Sequence, residues 1–171
     1  GRFTSGIIPK TYRSTVVASL NGTSGASTVQ ELEFNYRQCI TIGSDVVNGG
    51  PHTNFPFLFS STSPDLAHTS HGGQVTSESG YDIMFKGLDD DICGGSGTSP
   101  CTLSHEIEYY DPTTGQLIAW VNIPSLANGR TFYIYYGNSS ITSSTEEATK
   151  VWDDNYIAVY HMEEATGDAK N

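Results

Sequence analysis

The 171-residue sequence has few positive charges, with 8 Lys and Arg against 19 Asp and Glu and a formal net charge of −11 at pH 7. The basic residues are scattered singly along the chain. Binding to nucleic-acid phosphates or to anionic lipid headgroups needs clustered Lys and Arg side chains, which this sequence does not provide. We therefore expect no nucleic-acid partner.

Long hydrophobic runs are also missing, because no apolar segment approaches the roughly 18 residues that a bilayer-spanning helix needs. The sequence accordingly predicts no membrane span in this chain. Its first residues, GRFTSGIIPK, contain neither an initiator Met nor a signal-peptide core. We interpret Gly1 as a processed or trimmed end.

Helical periodicity is the third feature that is scarce. Charged residues make up only 16% of the chain, whereas it contains 18 Gly and 10 Tyr. Such a composition, with many Ser and Thr, is typical of short strands joined by turns. We predict an all-β fold, an antiparallel β-sandwich of jelly-roll or immunoglobulin-like type, with one short helical turn near STEEATKVW.

Alternating apolar residues locate the first strands of this sandwich. The run LEFNYRQCITI predicts a half-buried strand in which Leu32, Phe34 and Tyr36 share one face. In the next run, FPFLFS, Pro56 has no amide donor, so we expect it at a strand start or at a sheet edge. Residues 60–80 consist mostly of turn-forming types and predict a long surface loop.

Three further strand-like runs, SHEIEYY, QLIAWVNI and TFYIYYG, are separated by tight turns. The first turn, DPTTG, contains Gly115, which we expect to supply a positive φ. The second turn contains Asn128-Gly129, a pair that favours a tight connection. From these short connections we predict an antiparallel meander of three neighbouring strands.

The two ends of the chain lie outside this block of strands. Residues 1–30 combine a β-prone run, Thr11–Leu20, with a Ser- and Gly-rich connector, and predict an N-terminal arm and linker that carries a flexible or donated strand. We assign residues 31–140 to the sandwich. Residues 141–171 are a predicted linker followed by the strand-like run VWDDNYIAVYHMEE. Three alternatives stay open for this run: exchange with a neighbouring copy, folding back onto its own sandwich, or truncation before the rest of its own domain.

The three cysteines fall into two groups. Cys93 and Cys101 flank the flexible insert GGSGTSP and predict a local disulfide, which implies an oxidising compartment. A zinc site is the competing interpretation, but the spacing is poor for zinc. Cys39 lies in a strand pattern, where we expect a small buried thiol.

Glu106 and Glu108 are the strongest enzymatic candidates. They lie two residues apart on a predicted strand, so they share one face at a separation of about 7 Å, which suggests comparison with glycoside hydrolases. A half-exposed strand also presents two carboxylates to solvent while Ile107 points to the core, and we favour this interpretation. His68 and His71 lack an adjacent acidic or Cys partner and predict no firm metal site.

Other candidate sites are acidic or glycosylated. Asp89, Asp90 and Asp91 place three carboxylates in one turn, where hard oxygen ligands could hold calcium, although a solvated acidic turn needs no metal. Asn21 and Asn138 begin glycosylation sequons that fit exposed turns.

Aromatic side chains concentrate on the last predicted strands. Trp120, Tyr133 and Tyr135 are candidate ligand-stacking residues if one face of their sheet is exposed, as in a carbohydrate-binding module. If both faces are covered, the same rings serve packing and protein contacts, which we favour.

The order of the motifs YRQCITI, NFPFLF, YDIMF, LSHEIEYYD, AWVNIPSL and FYIYYGN resembles a family of bacterial and archaeal surface proteins, domain of unknown function 2341. The resemblance covers roughly residues 34–138 and departs from the family at Met84 and at Ser104-His105. VWDDNYIAVYHMEE is similar to the opening strand of a concanavalin A-like, LamG-type jelly roll, with Tyr160 where Trp is usual. The resemblance implies a surface-protein module that precedes a second β domain.

These patterns predict a non-catalytic structural or adhesive module of a secreted or cell-surface protein. Strand-like sequence at both ends suggests an extracellular filament assembled by strand exchange. The expected partners are other copies of the chain, neighbouring domains of a larger surface protein, and glycans, and the only cofactor considered is calcium. The alternatives are a carbohydrate-binding module and an accessory domain of a glycoside hydrolase.

Overall fold

The computed structural model describes residues 34–152 together with residues 156 and 159. The predictions for the arm at residues 1–30, for Asn21 and for most of the strand-like run after Trp152 concern residues outside this description.

The described chain is an all-β sandwich of two antiparallel sheets, as predicted. Sheet A has the strand order β1-β7-β3-β4, and sheet B has the order β2-β6-β5. The strands are β1 (Tyr36–Thr41), β2 (His52–Thr62), β3 (Met84–Gly87), β4 (Cys101–Leu103), β5 (His105–Asp111), β6 (Gln116–Leu126) and β7 (Thr131–Tyr136).

Three single-turn 3₁₀ helices complete the described structure, at Pro64–Leu66, Thr69–His71 and Ala148–Lys150. The last of these confirms the helical turn predicted near STEEATKVW. None of the described helices has the length and apolar character needed to cross a bilayer.

The core lies between the sheets, because strands of both sheets turn alternate apolar side chains inward. Phe57 of β2 packs edge-on against Phe132 of β7, with ring centroids 5.6 Å apart. Phe59 packs in the same way against Phe85 of β3 at 5.5 Å. These two ring pairs join the sheets across the middle of the sandwich.

The predicted three-stranded meander is wrong, because β7 does not continue the β5–β6 hairpin. That hairpin forms as expected, with Gly115 at φ 70° in its turn. The other edge of β6 is occupied by β2 along its whole length. After the turn at Gly129 (φ 77°) the chain crosses to sheet A, where β7 pairs with β1 and β3. A strand has only two edges, and both edges of β6 are already filled.

Two residues near β1 face the opposite way from the sequence prediction. Asn35 forms a bend and donates its side-chain amide to the carbonyl of Gly137 at 2.6 Å, so Phe34 lies over Tyr135 on the outer face instead of joining Tyr36. Cys39 is exposed, so the prediction of a buried thiol is wrong. The strand alternation directs the side chain of Cys39 outward.

The predicted disulfide between Cys93 and Cys101 is confirmed, with Cα atoms 6.6 Å apart. It closes the insert between β3 and β4. A cross-link around so short a loop restricts the unfolded chain and contributes about 2–3 kcal/mol to the free energy of unfolding.

A buried carboxylate, Asp82, joins the loop before β3 to the end of β7. Its side chain accepts five hydrogen bonds, from the N–H of Thr76, Ser77, Gly137 and Asn138 and from the Thr76 hydroxyl, at 2.7–3.1 Å. Burial of a carboxylate is costly unless hydrogen bonds replace its water, and these donors do so. Gly137 has φ 83°, a conformation that favours glycine.

Replacement of Asp82 by Ala should lower the free energy of unfolding by about 3 kcal/mol or more, because four backbone N–H groups lose their acceptor. Urea unfolding measures this change. Asp65→Ala is the matched control, since Asp65 carries the same charge at an exposed position of the same loop, and it should change the free energy by less than about 0.5 kcal/mol. Similar values for both variants would contradict the structural role of Asp82.

Candidate functional site

The sandwich has two outer faces that differ in chemistry. We call the outer face of sheet A the tyrosine face and that of sheet B the tryptophan face. The tyrosine face carries Phe34, Arg37, Lys86, Tyr133 and Tyr135. The tryptophan face carries Glu106, Glu108, Trp120, Trp152 and Tyr156.

The predicted stacking aromatics are therefore divided between two surfaces. Trp120 lies on the tryptophan face, whereas Tyr133 and Tyr135 lie on the tyrosine face. The expectation that these rings share one sheet is wrong, because β6 and β7 belong to different sheets. Any ligand that stacks on the two tyrosines cannot reach Trp120 on the opposite side.

Two indole rings form the centre of the tryptophan face. The centroids of Trp120 and Trp152 are 5.1 Å apart, and Tyr156 meets Trp152 edge-on at the same distance. The Trp120 Nε1–H donates to Glu108 Oε2 at 2.6 Å, and the Trp152 Nε1–H donates to Glu106 Oε2 at 2.8 Å. Each glutamate therefore orients one indole ring.

The strand prediction for the two glutamates was partly right. Ile107 packs against the core, as expected. However, the carboxylates do not simply face solvent, since both side chains are half-buried and accept indole N–H groups. A β-bulge at Glu108 then shifts the register by one residue, so that Tyr109 points outward and is 46% exposed.

A segment that we call the strap, residues 145–152, covers the free edge of β5. The Ile107 N–H donates to Glu146 Oε1 at 2.7 Å, and the Glu147 N–H donates to the His105 carbonyl at 3.0 Å. Asn122 of β6 donates its side-chain amide to the Lys150 carbonyl at 2.7 Å. Side-chain hydrogen bonds from Lys150 and Ser104 lower the pKa of Glu147, which favours its carboxylate form.

His105 points into the core, on the face of β5 opposite to Glu106. Its ring meets the edge of Phe85 at a centroid distance of 5.4 Å. Burial lowers the pKa of His105, and the nearby carboxylates of Glu146 and Glu147 offset this effect only in part. The neutral imidazole is therefore favoured in the folded protein.

The tyrosine face pairs cations with aromatic rings. The Arg37 guanidinium lies 5.1 Å from the centroid of Tyr133, and its Nη1 donates to the Tyr135 hydroxyl at 3.4 Å. The Lys86 ammonium lies 5.6 Å from the Phe34 centroid and 5.7 Å from that of Tyr135. Cation–π attraction holds both charges against the rings. These partners of the tyrosines were missed, because their meeting depends on a register between strands that are distant in sequence.

The neighbourhood of Cys39 belongs to the same face. Cys39 stands opposite Tyr133 in the β1–β7 register. Burial and, next, the adjacent Cys39 thiol raise the pKa of Tyr133, so its phenol remains neutral and able to donate a hydrogen bond.

Charge is segregated between the two sheets. The strands of sheet A contain Arg37 and Lys86 and no Asp or Glu. The strands of sheet B contain Glu106, Glu108 and Asp111 and no Lys or Arg. The two outer faces therefore present opposite signs of charge.

The three carboxylates of the acidic turn make separate contacts. Asp89 accepts the Asp91 N–H at 3.1 Å, Asp90 accepts the Gly97 N–H at 2.6 Å, and the Asp91 carboxylate pairs with Arg130 at 3.1 Å. Within the part of the chain that the structure describes, no group of three or more His, Cys, Asp or Glu side chains is placed to hold a metal. Calcium binding at this turn stays a prediction.

The remaining candidates take part in local hydrogen bonds. The Nδ1 atom of His68 pairs with the Ser70 hydroxyl at 2.7 Å, and its Nε2 atom pairs with the Thr76 carbonyl at 3.1 Å. Asn138 is only 7% exposed and its Oδ1 accepts the Ser140 N–H. The Asn138 side chain is therefore buried, whereas Ser139 and Ser140 of the turn are exposed, and glycosylation of this sequon stays a prediction.

Comparison with known proteins agrees in part with the resemblance noted in the sequence. Residues 91–170 match the family Domain of unknown function (DUF2341). This range includes β4 to β7, the strap and the strand-like run that follows it. No curated protein and no solved structure matches the chain.

Stability should decrease as the pH falls below about 6.5, the ordinary pKa of histidine, in part through His105. Burial lowers its folded-state pKa, so at mildly acidic pH the unfolded chain binds a proton that the folded chain excludes. Urea unfolding at pH 7.5 and pH 5.0 should show a smaller loss in His105→Leu than in the wild type. Equal losses in both proteins would contradict this effect.

Replacement of Trp152 by Ala should lower the free energy of unfolding by about 1–2 kcal/mol, because the half-buried ring loses its contact with Trp120 and its bond to Glu106. The chain contains only two tryptophans, so intrinsic fluorescence reports directly on this face. Tyr156→Ala is the control, since that ring is 44% exposed and should contribute less. A larger loss for Tyr156→Ala would be inconsistent with the central position of Trp152.

Proposed function

We propose that this chain is a non-catalytic structural module of a secreted or cell-surface protein, and that copies assemble when a strand adds to the outer edge of β1. The observation that carries the proposal is that the described residues block both edge strands of sheet B but leave the outer edge of β1 unblocked. Edge strands expose backbone N–H and C=O groups that can pair with another chain, and native proteins usually block them.

The edges of sheet B are both blocked. The strap pairs with two outward backbone groups of β5, the His105 carbonyl and the Ile107 N–H. On β2, Pro56 stands opposite Asn122, whose N–H donates to Ser104 on the β5 side. Antiparallel geometry therefore directs the backbone groups of Pro56 away from β6. The missing N–H of Pro56 falls on the free edge and interrupts any further ladder.

The β1 edge has no such block among the described residues. The Ile42 N–H donates to the Arg130 carbonyl of the turn before β7. Alternation along the strand then directs the backbone groups of Cys39 and Thr41 outward. Within the described part of the chain, β7 is the only strand that pairs with β1. The other edge of sheet A, β4, is only three residues long.

The incoming strand in this proposal is the β-prone run Thr11–Leu20 of another copy, which lies outside the described residues. Addition of such a strand would satisfy the outward groups of β1 as one ladder. The run after Trp152, with its likeness to the opening of a concanavalin A-like domain, would lead into a following domain of the same surface protein.

Two further observations support the location and the absence of catalysis in the proposal. The Cys93–Cys101 disulfide favours an oxidising, extracellular compartment. The carboxylates of Glu106 and Glu108 each accept an indole N–H, which supports a structural role for them.

A proline at position 39 tests the assembly. Cys39→Pro removes an outward N–H that has no part in the β1–β7 ladder, so the monomer should fold while strand addition is blocked. Cys39→Ser is the matched control, because it keeps the N–H and removes only the thiol. Light scattering and electron microscopy of the full chain should show polymers for the wild type and Cys39→Ser, and at least tenfold fewer for Cys39→Pro.

Two results would refute this proposal. Wild-type chains of verified mass could remain monomeric at every concentration. Alternatively, Cys39→Pro and Thr41→Pro could both fold and polymerise like Cys39→Ser, which would mean that the β1 edge is not the site of addition.

A further inference from the structure

We infer that the tyrosine face binds an acidic polysaccharide, a polymer of sugar rings that carry carboxylates. This inference goes beyond the proposed assembly and uses a different surface, since strand addition involves the backbone edge of β1 and not the side chains of the face. The argument rests on the charge, the geometry and the exposure of five residues, Phe34, Arg37, Lys86, Tyr133 and Tyr135.

The local charge is the first step. The whole chain has a formal charge of −11, which repels polyanions. The tyrosine face is an exception, because its four strands carry Arg37 and Lys86 without any acidic residue. A carboxylate near this face is attracted by two cations, and no acidic residue of these four strands repels it.

The arrangement of the cations is the second step. Both lie on rings of the same surface at 5.1–5.7 Å from the centroids. Their side chains project from paired strands, so binding costs little additional ordering.

The rings themselves favour a sugar polymer over an acidic peptide. Tyr133 and Tyr135 lie two residues apart on β7, with centroids 6.3 Å apart, and both are partly exposed. Their planes are inclined by 57°, so each ring can pack against the apolar C–H face of a separate sugar unit. A uronate unit combines such a face with a carboxylate, whereas an acidic peptide supplies carboxylates on flexible side chains without a planar face.

A second copy of the chain fits this surface less well. The acidic surface that could complement the tyrosine face is the tryptophan face. Its Glu106 and Glu108 are half-buried, and each accepts an indole N–H. These carboxylates are therefore poorly placed to reach Arg37 and Lys86 of a neighbour.

Cys39 provides a reporter for the experiment. Two of the three cysteines form the disulfide, so the exposed Cys39 carries the only free thiol of the chain. An environment-sensitive fluorophore attached to this thiol stands opposite Tyr133 on the same face. Titration of the labelled full chain with polygalacturonate should change its emission, with an apparent affinity that weakens as NaCl is added.

Charge-removing variants identify the residues involved. Arg37→Gln and Lys86→Gln should each weaken polygalacturonate binding by about fivefold, the effect of losing one exposed ion pair. Lys150→Gln removes the same charge on the opposite side of the sandwich and should leave binding unchanged. Urea midpoints close to that of the wild type would show that the variants remain folded.

Several results would overturn the inference. These are the absence of polygalacturonate binding, equal binding to neutral dextran, equal binding to poly-glutamate, or equal losses in Lys86→Gln and Lys150→Gln. A signal that depends only on the concentration of the labelled chain would report strand addition at β1 and not polysaccharide binding. None of the other results bears on the Cys39→Pro test, so the two proposals can fail separately.

Discussion

The burial of one carboxylate without a cationic partner is the constraint on which the rest of the sandwich depends. Asp82 takes its five hydrogen bonds from the loop before β3 and from the residues that follow β7. Because β7 is central in sheet A and pairs with both β1 and β3, this anchor holds the end of the strand that sets the register of its neighbours. The contacts of Tyr133 and Tyr135 with Arg37 and Lys86 follow from that register.

The two sheets differ in how far the described residues cover their edges and outer faces. In sheet B, the strap covers the edge of β5, Pro56 interrupts the edge of β2, and two indoles cover the outer glutamates. In sheet A, neither the β1 edge nor the tyrosine face is covered by the described residues. In the proposed assembly, contacts between copies therefore concentrate on the side that the described residues leave uncovered.

The features predicted correctly from the sequence depend on residues that are close together in the chain. The β5–β6 hairpin follows from Gly115 in its turn, the disulfide from the spacing of Cys93 and Cys101, and the edge position of Pro56 from its missing amide. In each case the deciding interaction is local, so its pattern can be read without knowledge of the fold.

The predictions that failed required knowledge of which strand lies beside which. The meander and the shared sheet of the aromatic rings both assumed that strands adjacent in sequence pair in space. The amino-acid sequence by itself determined the all-β class, the turns and the local alternation, because these depend on backbone preferences and on apolar periodicity. Only the tertiary structure decided the division of strands between sheets, the hydrogen bonds around Asp82 and the chemistry of each face. The reason is that hydrogen bonding and packing between distant segments select one strand pairing among several that the local pattern permits.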